Sequence, residues 1–264
     1  MLLFDRKIQL ITESGLTFNN WDGVQFNFKY STIDETGVPT AEIEILNIDK
    51  TIMNEIKEEG AIFSIGYESY LGDLITGDIK NIEIGDTIIF DIIGNSTINS
   101  KEYDNWYNTN VRENFIVEDI AKNNGIILEG TDLLKDYIRP NGYTVTGSAI
   151  KSIISLVSNR GLGITFKGKT LKIYKLEGNA DSEITLDITS GLTNVTKYQK
   201  RDNFGNLDTK YDYVIHSLPI PKLIQGEIFQ IIHDNFIGKV VLIDFEILGR
   251  KNWKAKYYVK VISE

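Results

Sequence analysis

Side chains able to do acid–base or metal chemistry are scarce in this chain. Only two histidines occur, His216 and His233, and there is no cysteine, which excludes disulfides, thiol catalysis and cysteine-ligated metals. His233 precedes Asp234, a pairing that invites comparison with a catalytic dyad. Adjacent strand residues point to opposite faces, however, so these two side chains do not converge. His216, between Ile215 and Ser217, lies in a similar pattern and reads as a packing or surface residue. Asp202, Asp208 and Asp212 surround one hairpin but lack the regular spacing and terminal bidentate Glu of a calcium loop. They read as a solvated acidic tip. Glu42 and Glu44 share one strand face, as glycosidase carboxylates can, yet they alternate with apolar residues and read as the wet face of a barrel. The glycines form neither a Walker loop nor a strand-linked G-x-G-x-x-G, and Arg160-Gly161-Leu162-Gly163 reads as a helix stop. Trp21, Trp106, Trp253, Tyr257 and Tyr258 could face a sugar but are scattered, and read as core or interface anchors. No nucleophile has a partnering base. The expectation is a protein that is not an enzyme, with no catalytic, cofactor-binding or metal site and no cofactor.

Composition narrows the class further. The 264 residues, 42% of them apolar, suffice for one large domain or two small ones. No window approaches ~18 uninterrupted apolar residues, so no membrane insertion is expected. Charge appears at Asp5-Arg6-Lys7, too early for a secretory signal core, so folding in the cytoplasm is expected. Thirty-seven acidic against 28 basic residues give −9, which argues against a nucleic-acid-binding surface.

The elements that would position these residues are mostly strands. Val24, Phe26, Phe28 and Tyr30 alternate with polar residues, as do Ala41, Ile43 and Ile45 with Glu42 and Glu44. Asp49 caps a helix reaching toward Glu59, with Ile52, Met53 and Ile56 on one face and Gly60 as its stop. Strand Ala61–Tyr67 follows, then a turn at Leu71-Gly72-Asp73 and a return strand Leu74–Ile79. Thr87–Ile93 is nearly continuous apolar and is expected to be covered on both faces. Residues 98–176 change texture. A helix over Phe115–Lys122 ends at Asn123-Asn124-Gly125 before an apolar strand. A second helix, capped by Thr146 or Ser148 and carrying Ile150, Ile153, Ile154 and Val157, precedes strand Gly163–Gly168, so the pair reads as a weak repeat. Beyond Leu176 strands return. A hairpin with its tip at Arg201–Asn206 is followed by the proline-broken connector Pro219–Glu227. Next comes a strand whose Val241, Ile243, Phe245 and Ile247 share one face, and a last strand with Ala255, Tyr257, Val259 and Val261 inward. The plan is a mainly β, α+β chain: a first β-module over 1–97, an α/β insertion over 98–176 and a second β-module over 177–264.

Three segments in this layout carry a resemblance. They are Pro39–Ile48 with the short helix, Phe63–Tyr67 and Gly72–Ile79; the helix–Gly–strand pair with Val145–Ile150; and Pro219–Glu227 followed by a long strand, Gly249 and Trp253. Together they resemble baseplate or tail hub proteins of tailed bacteriophages and phage-tail-like particles, with Glu246 where the family often has a histidine. The resemblance implies two tail-tube-like β-barrel modules flanking the insertion. It implies a homotrimer whose paired barrels join a sixfold tail tube to a threefold spike or tip. Its implied partners are the tail tube or distal tail protein, the tape measure protein and the tail spike or tip, with DNA passing through the lumen without specific binding. The implied location is the virion, at the tail tip or baseplate, with assembly in the host cytoplasm. The alternatives are a distal tail protein ring, a tail-associated cell-wall hydrolase, or a carbohydrate-binding module using Trp21 or Trp253.

Overall fold

The computed structural model describes residues 5–32, 38–68, 70–94, 102–167, 170–178, 180–200, 208–249 and 253–262. The boundary expected at 97/98, the tip Arg201–Asn206, Asp202 and Gly168 lie outside these residues. The fold is mainly β. Its first part contains β1 (Arg6–Thr12), β2 (Thr17–Asn19), β3 (Gln25–Ser31), β4 (Thr40–Leu46), α1 (Lys50–Met53), β5 (Gly60–Tyr67), β6 (Tyr70–Ile84) and β7 (Ile88–Ile93). The middle contains β8 (Asn105–Tyr107), β9 (Val111–Arg112), α2 (Glu113–Asn124), β10 (Ile127–Glu129), β11 (Ile138–Arg139), β12 (Tyr143–Val145), α3 (Ala149–Ser158), β13 (Leu162–Lys167) and β14 (Thr170–Lys175). The last part contains β15 (Ala180–Leu186), β16 (Leu192–Lys197), β17 (Tyr213–Ser217), β18 (Glu227–His233), β19 (Phe236–Gly249) and β20 (Trp253–Val261). Among the described residues no helix is long and apolar enough to cross a membrane.

One 13-stranded sheet runs through both outer parts, in the order β16-β17-β20-β19-β3-β4-β7-β6-β5-β1-β2, with β18 and β15 branching from β19. Among the described residues this path does not close on itself. The joint between the outer parts is the antiparallel pair β19–β3, where Gly249 stands opposite Phe28. A Cβ on Gly249 would lie 1.8 Å from the Phe28 ring, so only glycine lets the two strands meet there. A single core underlies both parts, from Leu10, Phe63 and Phe90 to Phe229, Tyr257 and Val259. Trp253 packs edge-on against Phe28, with ring centroids 5.9 Å apart, and helps seal the joint.

The sheet contains a repetition of order. The first four-stranded run reads β3-β4-β7-β6 and the second reads β16-β17-β20-β19. In chain order each is first, second, last, third. In each, the third strand is long and carries a bulge against the last, between Lys80 and Glu83 in β6 and between Leu242 and Asp244 in β19. In each, the strand before the long one pairs with its N-terminal half: β5 with β6, and β18 with β19. Each first strand follows a short 3-10 turn ending in a left-handed glycine, Gly23 at φ 90° and Gly191 at φ 93°.

Several local expectations are met by cap chemistry. Asp49 accepts a hydrogen bond from the Thr51 N–H at 2.7 Å, Ser148 caps α3, and Gly125 in the left-handed region stops α2. Others are corrected. Helix α1 ends at Met53, after which the Glu55 and Ile56 N–H groups bond three residues back to Ile52 and Met53; Glu59 bonds the Ser14 N–H at 2.9 Å and hydroxyl at 2.6 Å, and Gly60 opens β5. The β5–β6 turn falls at Glu68 (φ 51°), since Tyr67 pairs with Tyr70, and Gly72 lies within β6 opposite Ile65. β7 buries Ile88, Phe90 and Ile92 while Ile89, Asp91 and Ile93 are half-exposed, so one face is covered and not both. Val241, Ile243, Phe245 and Ile247 do not share a face. The bulge at Ile243 inserts one residue and shifts the alternation, leaving Phe245 and Ile247 in the main core and Val241 and Ile243 in a small separate cluster. Val261, expected inward, is 37% exposed.

The middle part has its own core, with Ile116, Val117 and Ile120 of α2 against Ile150, Ile153 and Val157 of α3. Its three-stranded sheet has the order β10-β14-β13. The expected repeat of two helix–strand units does not hold there: β10 runs parallel to β14 and β13 antiparallel, on opposite sides of it.

Candidate functional site

The sheet's repeated runs build an extended polar face. Because strand side chains alternate, burying Phe26, Phe28, Ile43, Ile45, Ile215 and Tyr257 on one face forces their neighbours to the other. In the first run Lys29, Glu42, Asp91 and Lys80 stand side by side across β3, β4, β7 and β6. In the second, Asn194, His216, Lys256 and Glu246 stand side by side across β16, β17, β20 and β19. The charges are partly locked by partners. Glu44 accepts from Asn27 Nδ2 at 2.7 Å and Thr87 Oγ1 at 3.3 Å, and Asp91 accepts from Asn81 Nδ2 at 2.7 Å. Lys256 Nζ lies 3.5 Å from Glu246, which also accepts from the Tyr258 hydroxyl at 3.2 Å. Partial burial, then Lys256 and Lys254, push the His216 pKa below its ordinary value. The surface is therefore mixed in charge, more acidic on the first run and more basic on the second.

The residues singled out from the sequence are dispersed. Glu42 and Glu44 lie on this polar face and His216 lies on its second run. His233 is elsewhere, its Nδ1 accepting from the Asn235 N–H at 3.1 Å to close the β18–β19 turn. Asp208 accepts from the Lys210 N–H at 2.9 Å in a local turn, whereas Asp212 accepts from the Val261 N–H at 2.8 Å and ties its segment to the end of β20. Among the described residues no group of three or more His, Cys, Asp or Glu is placed to hold a metal ion. Trp253 and Tyr257 are buried, and Tyr258 is partly buried with its phenol pushed up to about 12, first by burial and then by Glu246. Trp253 therefore cannot stack on a sugar, whereas Trp21 and Trp106 are 48% and 63% exposed.

Sequence reasoning missed two buried carboxylates and one polar cluster. Glu113, fully buried at the start of α2, lies between Arg160, which donates from Nε at 2.8 Å and Nη2 at 2.6 Å, and Arg139, whose Nε is 2.6 Å away but outside hydrogen-bond geometry. Asp244, at the β19 bulge, accepts from Thr32 Oγ1 at 3.2 Å, Gln225 Nε2 at 3.0 Å and the Tyr211 hydroxyl, with Lys210 Nζ at 2.7 Å. Asp119 accepts from the Tyr103 and Tyr107 hydroxyls, each at 2.7 Å. The Tyr103 hydroxyl is the main influence holding its carboxyl below the usual range. The partners of Glu113 are 47 residues away for Arg160, beyond any local motif. These three sites join segments distant in sequence and lie off the polar sheet face.

No protein-family model matches the sequence, and no curated protein matches it significantly. Solved structures do. The tail protein from Neisseria meningitidis is similar with a TM-score of 0.66 at 7% identity, covering 97% of each chain. The 43 kDa tail protein of prophage MuSo2 from Shewanella oneidensis is similar with a TM-score of 0.65 at 10% identity, over 98% of this chain and 97% of that one. The E. coli c3393 protein, a type VI secretion component described as structurally similar to the T4 tail proteins gp27 and gp5, gives 0.62 at 10% identity over 91% and 73%. At these identities the likeness speaks for architecture: this chain has the fold of phage-type tail proteins.

Proposed function

We propose that the protein is a structural part of a phage-type tail tip, the baseplate hub, in which three copies surround a channel. The observation that carries this reading is the repeated four-stranded run within a fold shared with tail proteins. Each run, with the strands that close over its core, corresponds to one tube-like module, one in 1–97 and one in 177–264, with 98–176 as the insertion. Three copies supply six equivalent runs around an axis, which suits a sixfold tube on one side and a threefold spike or tip on the other. Ring closure also removes exposed sheet edges, which otherwise invite aggregation.

The polar face is the natural channel wall, since its opposite face is the core. Its alternating acidic and basic sectors would let DNA pass without a continuous basic track to hold it. Partners at the two ends are the tail tube or distal tail protein, the tape measure protein and the spike or tip, in a virion assembled in the host cytoplasm. Negative-stain class averages of the purified protein test the reading. Threefold rings with two related units per chain are expected. A sixfold ring with one unit per chain would point to a distal tail protein instead.

A further inference from the structure

Asp244 lines a cavity of about 350 Å³ between the middle part and the large sheet. Ile154 of α3 and Leu162, Ile164 and Phe166 of β13 form an apolar wall on one side, and Ile243 faces the cavity from β19. The four wall residues of the middle part are only half-buried, so hydrocarbon surface is left uncovered there. At the polar end, the Asp244 carboxylate is held in place by neutral donors. Oδ1 accepts from Thr32 Oγ1 and Gln225 Nε2, and Oδ2 accepts from the Tyr211 hydroxyl. Thr165 Oγ1 donates to Gln225 Oε1 at 3.0 Å and so turns the amide nitrogen toward Asp244. Neutral donors orient the carboxylate and leave its negative charge uncancelled.

The cation at this place is Lys210. Its Nζ lies 2.7 Å from Asp244 Oδ2 and 5.0 Å from the centre of the Tyr211 ring. A carboxylate beside an aromatic face is a receptor for an ammonium group. Lys210 occupies it from the water side: its side chain is 55% exposed, against 6% for Asp244. An ammonium so exposed leaves such a contact at small cost, because water takes over its solvation. We infer that the cavity binds a primary aliphatic ammonium, with its charged end on Asp244 and Tyr211 and its tail along Ile154, Leu162 and Phe166. Lys210 is the internal occupant that this guest displaces into water. The exchange never leaves the buried carboxylate unpaired. The gain comes from the apolar wall, which the tail covers. A free aliphatic amine and a lysine side chain of a partner protein share this chemistry. The site is independent of how copies of the chain assemble.

Ligand-observed NMR titrations of the full chain with n-hexylammonium test the inference. Binding should tighten about twofold to fivefold in Lys210→Ala, which removes the competing ammonium. It should weaken at least about tenfold in Asp244→Asn, and n-hexanol, which has the tail without the charge, should not bind. n-Propylammonium should bind more weakly, by about twofold to fourfold for each buried methylene lost. Ile154→Phe fills the cavity, leaves the carboxylate in place and should remove that dependence on tail length. Hexamethylenediamine and an end-blocked peptide of one lysine between two leucines separate the two sources. Binding of either or both to Lys210→Ala supports the site and names its guest. Hexylammonium binding that neither Lys210→Ala nor Asp244→Asn alters overturns the inference, as does the failure of all these amines to bind Lys210→Ala.

Discussion

Glu113 and Asp244 are both buried carboxylates, yet they are held in opposite ways. Glu113 sits in the middle part between two guanidinium groups, Arg139 and Arg160, whose side chains are 28% and 27% exposed. Asp244 sits at the bulge of β19 and is held mainly by neutral donors, Thr32, Gln225 and Tyr211, with one cation, Lys210, that is 55% exposed. Charge answers charge in the first case, and oriented dipoles answer charge in the second. The first ties the β9–β11 pair and the start of α2 to Arg160 beyond α3, and the second fixes an irregular point inside the large sheet.

That contrast yields graded expectations. Glu113→Ala should cost about 3–5 kcal/mol, since it strips the shared partner from two arginines. Calorimetry reads the loss, and hydrogen exchange should localise it to the α2–α3 core and spare the sheet. Isosteric replacement sharpens the difference. Glu113→Gln should still cost about 2–3 kcal/mol, whereas Asp244→Asn should cost only about 1 kcal/mol, because an amide oxygen still accepts from the neutral donors. Equal costs in parallel urea titrations would break the comparison. Lys210→Ala should change stability by less than about 0.5 kcal/mol, its ammonium being largely in water.

The smallest effect is one of pH. The Asp119 carboxyl is held below its ordinary pKa, first by the Tyr103 hydroxyl. Its contribution is therefore complete above the ordinary carboxylate range and is lost as pH falls through the lowered folded value. Asp119→Asn should flatten that acid limb in melting curves between neutral and acidic pH, while leaving the neutral-pH shape of the profile otherwise alike.

Much of the fold could be read from the chain because its signals are local. Alternation in Gln25–Ser31 and Thr40–Leu46 marked two-faced strands, and Asp49, Ser148 and Gly125 marked helix ends by chemistry within a few residues. What stayed hidden depends on pairing across distance. The bulge at Ile243 exists only against β20, and it moved two expected core residues to another cluster. The repeated order of the two runs is a property of which strands lie side by side. The more visible similarity, the two helix–strand units of the middle part, ended in strands of opposite direction. The polar face was half legible. Glu42 and Glu44 announced a wet surface, but its continuation through His216 and Lys256 required the β19–β3 joint.

We propose above all that three copies close a ring from six four-stranded runs. Native mass spectrometry of the purified chain over rising concentration tests it most directly. A discrete species at three times the 29.9 kDa chain mass, growing with concentration, is expected. A chain that remains a single-copy species throughout, or that goes directly to six copies, would contradict it.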